Sequence, residues 1–268
     1  MVFLMSGRGK KEITMKTTNM KTKKKKIIFI ALIPVFVAVL LLATYIVYSL
    51  AHTSKALHTL GEYQAIYSDL TITQDPEGAI SLLLSDESKV NHIGIIFYQG
   101  ASVEPLAYVP LLSGIAEAGY TVYAPQFPCG MAVFDADAAK EVMAQHPEIE
   151  AWYIAGHSMG GKYASKYALT ADSSLMGVIS ISSPVDENLA DTELPLLMLY
   201  GDLDGLYHGV EPDDALPKDT TVCCMDGANH AQFGDYGHQL FDNEASISPE
   251  KQRANGITCI LEWLQDKR

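Results

Sequence analysis

Apolar and polar positions alternate along this chain in three distinct rhythms. From Ile27 to Leu50 every residue is uncharged and most are apolar. Such a run forms a helix of about 36 Å at about 1.5 Å per residue, enough to cross a bilayer. Residues 51–64 read as a polar linker entering a short helix, followed by two β-rich runs within 63–86 around the turn Asp75-Pro76-Glu77-Gly78. Beyond them, short apolar runs of strand length alternate with helical periodicity. Strands are predicted at 92–98, 120–125, 151–156, 177–183, 195–201 and 220–225, with helices over 103–119, 135–146, 160–171 and 250–266. Continuous apolar strands fit burial on both faces. The alternation predicts an α/β fold with a mostly parallel central sheet, helices on both faces, and antiparallel strands at one edge. A single domain over 51–268 is the economical reading, and no internal repeat is visible.

Charge sharpens this division. The net charge of −13 is the sum of two opposed parts. Residues 1–26 carry nine Lys or Arg against the single acid Glu12, while 51–268 hold ten basic and 31 acidic residues, a net of −21. So acidic a domain excludes nucleic-acid binding by phosphate neutralisation. The basic tail before an apolar run predicts a single-pass cell-membrane anchor at 27–50, with the tail cytoplasmic and the domain extracytoplasmic. A signal peptide cleaved near Ser49-Leu50-Ala51 is the competing reading, against which stand the length of the run and the lack of a clean cleavage site. Four cysteines (Cys129, Cys223, Cys224, Cys259) are too few for a disulfide scaffold, and packing in the core is the expectation for them. Cys223 and Cys224 alternate across a strand and should not pair with each other. No His or Cys spacing suggests a metal site, and no cofactor is implied.

The chemistry concentrates in "WYIAGHSMGGKYASKYAL", 152–169. Gly156-x-Ser158-x-Gly160 sits where a strand ends and a helix begins. A serine at such a bend must adopt a strained backbone to project its hydroxyl, which demands small neighbours two residues away on either side. A nucleophilic serine needs a base and an orienting acid, in chain order Ser, Asp, His for this topology. Asp202 and Asp204 both follow the strand 195–201, and Asp204, deeper past the strand end, is the preferred acid; Asp202 reads as a turn acid. Of the downstream histidines, His230 lies in the loop after the last strand and is the preferred base over His208 and His238. His157 reads as a packing or hydrogen-bonding residue. The oxyanion donors expected are the backbone N–H groups of Met159 and Ala101, with Gly100 as the alternative second donor. Phe127, Cys129, Met131 and Tyr207 are candidates for the pocket wall, with packing the competing role of each, and no long lid insertion is visible.

These stretches also carry a resemblance. "FYQGASVEPLAYVPLLSGIAEAGYTVYAP", "AGHSMGGKYASKYA", "LYGDLDGL" and "GANHAQFGDYG" resemble bacterial α/β-hydrolases related to dienelactone hydrolases, over roughly Tyr63 to Leu264. The resemblance implies the α/β-hydrolase fold and a Ser158, Asp204, His230 triad. It departs from the common pattern at Gln99, where many members have proline or histidine. The function expected is a membrane-anchored serine hydrolase that cleaves a small-molecule carboxylic ester through an acyl-enzyme. A non-catalytic binding module, or an acyltransferase using the same triad, are the alternatives.

Overall fold

The computed structural model describes residues 32–44, 47, 53–171, 174–209 and 216–267. The chain divides into two units, Met1–Ala51 and His52–Arg268. In the first, residues 32–44 form a helix (α1) whose apolar side chains, Val35, Phe36 and Leu41 among them, are exposed. The Thr44 hydroxyl turns back to donate to the Leu40 carbonyl at 2.8 Å. The basic tail 1–26 and the ends of the expected 27–50 span lie outside the described residues. Among the described residues no helix is long and apolar enough to cross a membrane.

The second unit is an eight-stranded sheet: β1 (Leu70–Gln74), β2 (Ile80–Leu84), β3 (Ile93–Tyr98), β4 (Thr121–Ala124), β5 (Ala151–His157), β6 (Leu175–Ile181), β7 (Leu196–Gly201) and β8 (Thr220–Met225). In space the order is β1-β2-β4-β3-β5-β6-β7-β8. β1 and β2 pair antiparallel with each other, β2 pairs antiparallel with β4, and all remaining pairs are parallel. One face is covered by α2 (Leu60–Ile66), α3 (Val109–Glu117) and α6 (Pro249–Asp266), which bury Tyr63, Leu112 and Trp263 in one apolar layer. The other face carries α4 (Ala138–Gln145) and α5 (Met159–Ala168), packed with Trp152, Ile154 and Met198 in a second layer. The expected doubly covered parallel sheet is therefore present, and its parallel strands all end on the same edge.

Three local expectations need correction. Tyr63 to Ile66 belong to helix α2, not to a β run. Thr59 caps it with a reciprocal pair, in which the Glu62 N–H donates to the Thr59 hydroxyl and the Thr59 N–H to the Glu62 carboxylate. The single helix expected over 103–119 is a 3₁₀ turn, Pro105–Tyr108, followed by α3. Pro105 and Pro110 each occupy a first turn, the one place where a missing N–H costs nothing, so two prolines five residues apart impose two starts.

The third correction concerns the cysteines. Cys223 of β8 and Cys259 of α6 form a disulfide, closing a loop of sequence separation 36 across the sheet's last strand and last helix. Cys224 faces outward, as strand alternation requires. Closing a loop of that length constrains the unfolded chain by about 2–4 kcal/mol. Cys259→Ser should therefore lower the melting temperature by on the order of 10 °C. Reductant should bring the wild type down to the variant's value while leaving the variant unmoved, which differential scanning fluorimetry reads directly.

Candidate active site

The sequence "YIAGHSMGG" folds into a strand that stops at His157 and a helix that starts at Met159. Ser158 is the hinge between them, at φ 54° and ψ −127°. A non-glycine residue there is strained by about 1–3 kcal/mol. The surroundings hold it: its N–H donates to the Ile181 carbonyl at 2.9 Å, and its carbonyl accepts from Gly161 at 3.0 Å. The flanking glycines are required by close approach. A side chain on Gly160 would collide with the Tyr98 and Gln99 carbonyl oxygens at the end of β3, and one on Gly156 would lie 2.5 Å from the Gly160 backbone. Ser158 is partly exposed, and its hydroxyl makes no side-chain cap on the N-terminus of α5, where Met159 is the first residue.

Asp204 and His230 lie against each other. Asp204, past the end of β7, and His230, past the end of β8, are 3% and 1% exposed. The His230 Nδ1 lies 2.9 Å from Oδ2 and 3.1 Å from Oδ1 of Asp204. A carboxylate can only accept, so Nδ1 carries the proton and Nε2 keeps a bare lone pair. That Nε2 is buried and has no hydrogen-bond partner, the Ser158 hydroxyl included. The Asp204 Oδ1 is fixed by the N–H groups of Leu206 and Tyr207, each at 2.8 Å. Burial pushes the Asp204 carboxyl up, but the hydrogen bond from His230, the charge of that imidazole when protonated, and the Leu206 N–H outweigh it, and the net shift is downward. Asp204 is thus held ionised beside the imidazole. Asp202 is exposed, and its Oδ1 accepts from Gly227 at 2.6 Å, a tie between the β7 and β8 loops. His208 and His238 are exposed.

His157 joins the parts. Its Nε2–H donates to the His230 carbonyl at 3.1 Å, since a carbonyl only accepts. Its Nδ1 therefore receives the Tyr108 O–H at 2.9 Å, and the Tyr108 oxygen accepts the Gly100 N–H at 3.1 Å. Burial, then repulsion from a protonated His230, pulls the His157 imidazole well below its ordinary 6.5 and keeps it neutral. Burial likewise raises the Tyr108 phenol and keeps it a donor. This chain runs from the loop after β3, past the neighbour of Ser158, to His230. Of the two N–H groups expected to serve as the loop donor, that of Gly100 is engaged by Tyr108. The loop stands close to Ser158, for a Cβ on Gly100 would lie 3.6 Å from the Ser158 Cβ.

Two sequence expectations fare differently. Phe127 and Met131 are buried at 2% and 1%, and Tyr207 at 8%, so all three pack inward, while Cys129 is partly exposed at φ 55°. Gln99 is buried with neither amide atom partnered, and nothing in the structure explains the glutamine there. Sequence reasoning missed the role of Gln252 of α6. Its amide brackets Asn229 next to the base, accepting the Asn229 N–H at 3.0 Å and donating to the Asn229 carbonyl at 2.7 Å. No sequence motif marks that pair.

Residues 94–254 match the family described as "Alpha/beta hydrolase family". Among solved structures, MGS-MChE2, an alpha/beta hydrolase from the metagenome of lagoon sediments at Mar Chica, Morocco, is similar with a TM-score of 0.52 at 15% identity. That likeness covers 74% of this chain and 99% of the other. The esterase domain of a Rhodothermus marinus protein gives 0.52 at 16% identity, over 72% and 96%. A membrane phospholipase A described as a bacterial virulence factor gives 0.53 at 13% identity, over 89% and 98%. At such identities these likenesses speak for the fold alone. No curated protein matches the chain.

Proposed function

The chain belongs to the alpha/beta hydrolase family, and from that premise we propose that it is a serine hydrolase of carboxylic esters with Ser158 as nucleophile, His230 as base and Asp204 as orienting acid. The observation that carries the reading is the buried His230 imidazole, gripped through Nδ1 by Asp204 while its Nε2 is left without a partner. A buried unpaired nitrogen costs free energy, and catalysis is the use that justifies it. Ser158 Oγ attacks the ester carbonyl as Nε2 takes its proton. The N–H groups of Met159 and Ala101 donate to the oxyanion. His230 returns the proton to the departing alcohol, and water then discharges the acyl-enzyme by the same steps in reverse order. In resting hydrolases the serine–histidine bond is commonly long and tightens only with substrate, so the unpartnered Nε2 is compatible with this role.

The finer assignment, to hydrolases related to dienelactone hydrolases, rests on the loop sequences "FYQGASVEP" and "GANHAQFGDYG". A cell-membrane location with an extracytoplasmic domain is part of the same proposal. Its supports are the uncharged 27–50 run behind nine basic residues, the exposed apolar side chains of α1, and a Cys223–Cys259 bridge of the kind that persists in oxidising compartments.

A fluorophosphonate probe tests the catalytic reading. Intact-mass analysis of the wild type should show one covalent adduct, which peptide mapping assigns to Ser158. Wild-type protein that stays unmodified while remaining folded would rule the reading out and favour a binding module.

A further inference from the structure

Asp204 and His230 reach each other from separate loops, so their separation is only as fixed as the loops are. A third loop holds both. Asp242 follows the histidine loop by a dozen residues, in a polar stretch with no sequence motif. Its Oδ1 accepts the Gly205 N–H at 3.0 Å, directly after the acid, and the His230 N–H at 3.2 Å, the base's own backbone. Its Oδ2 accepts the Ala231 N–H at 2.8 Å, directly after the base. The Asn243 N–H adds a further bond to Oδ1 at 3.0 Å. One carboxylate thus satisfies four backbone donors, three of them on the residues that carry or adjoin the acid and base.

The neighbourhood is built around this grip. Phe241, just before it, sits at φ 70°, a left-handed conformation unusual for a bulky residue. Gly205 has no room for a side chain: a Cβ there would lie 2.5 Å from the Phe241 carbonyl oxygen, 2.8 Å from the Asn243 nitrogen and 2.9 Å from the Asp242 Cα. The Asn229 side-chain amide, next to the base, donates to the Asn243 carbonyl at 2.7 Å and ties the same two loops again.

We propose that Asp242 is a positioning residue, a carboxylate clamp that sets the distance between the Asp204 carboxylate and the His230 imidazole. This rests on the hydrolase reading of the site. The clamp touches no substrate; it acts through the acid and base. Only a carboxylate suits the position. An asparagine offers one accepting oxygen, and its NH₂ group must then face at least one of the N–H donors now bound.

The test compares wild type, Asp242→Asn and Gly205→Ala in p-nitrophenyl ester hydrolysis, fluorophosphonate labelling and thermal melting. A misplacement of about 1 Å at a reacting pair costs about 100-fold in rate. Both variants should therefore lose on the order of 100-fold in kcat with KM little changed, and label at Ser158 correspondingly slowly. The low-field ¹H NMR resonance of the Nδ1 proton shared with Asp204 should move or broaden in both. Wild type that neither labels nor hydrolyses esters would sink the hydrolase reading and this inference with it. A labelling wild type, with variants that keep their kcat or leave the Nδ1 resonance in place, would overturn the clamp alone. Failure of both variants to fold would do the same, because Asp242 would then hold the fold rather than the site.

Discussion

Ser158→Ala should lower kcat for ester hydrolysis by about a million-fold while leaving the melting temperature within a degree or two of the wild type. The two halves of this expectation come from the same geometry. The hydroxyl forms no side-chain cap on α5, so removing it breaks no helix-start bond, and alanine inherits the same φ of 54° with the same backbone bonds to Ile181 and Gly161. What is lost is the attacking atom itself. The residual rate expected, about a thousand-fold above water, is that of the proposed Met159 and Ala101 donors and of substrate binding, which the substitution leaves in place. A variant that retained a tenth of wild-type activity would place the nucleophile elsewhere, whatever the elbow looks like.

Asp204→Asn should cost about 10⁴-fold in kcat through a change of tautomer, with little change in structure. Oδ1 is pinned by two backbone donors, Leu206 and Tyr207, each at 2.8 Å. The asparagine carbonyl must take that position, because an NH₂ group there would face two N–H groups. Its NH₂ then occupies the Oδ2 position, 2.9 Å from the His230 Nδ1. An amide donor at Nδ1 selects the imidazole with its proton on Nε2, which cannot accept the serine's proton. Asp202→Asn is the matched control: its carboxylate serves only the Gly227 N–H among the described residues, and kcat should stay within a few-fold of wild type. Steady-state kinetics of the two variants side by side, with folding checked by circular dichroism, reads both expectations.

The central strands were legible because burial on both faces leaves nothing but apolar residues. The runs "HIGIIFY" and "AWYIAG" differ from the observed β3 and β5 by a residue at an end. The elbow was legible for a steric reason, since only small residues fit at 156 and 160. Asp204 and His230 were legible through their order along the chain and their place after strand ends. The short helix expected at the end of 51–64 is α2, started by the capping pair Thr59 and Glu62, and only its continuation over 63–66 was masked by the β-prone residues that follow. The two starts within 103–119 were also written, in Pro105 and Pro110. The Cys223–Cys259 bridge was not, since nothing local in β8 or α6 says that the last helix crosses the last strand. Asp242 was invisible for a related reason: every hydrogen-bond partner it has among the described residues is a backbone N–H, and backbone donors leave no trace in the identity of the residues that carry them.

One set of rates tests most directly whether Ser158 and His230 act as a unit. Ser158→Ala, His230→Ala and the double variant should show the same residual kcat, because a nucleophile without its base and a base without its nucleophile are equally idle. A double variant slower than either single one, by the product of their separate losses, would mean that Ser158 and His230 act independently, and the shared mechanism would have to be abandoned.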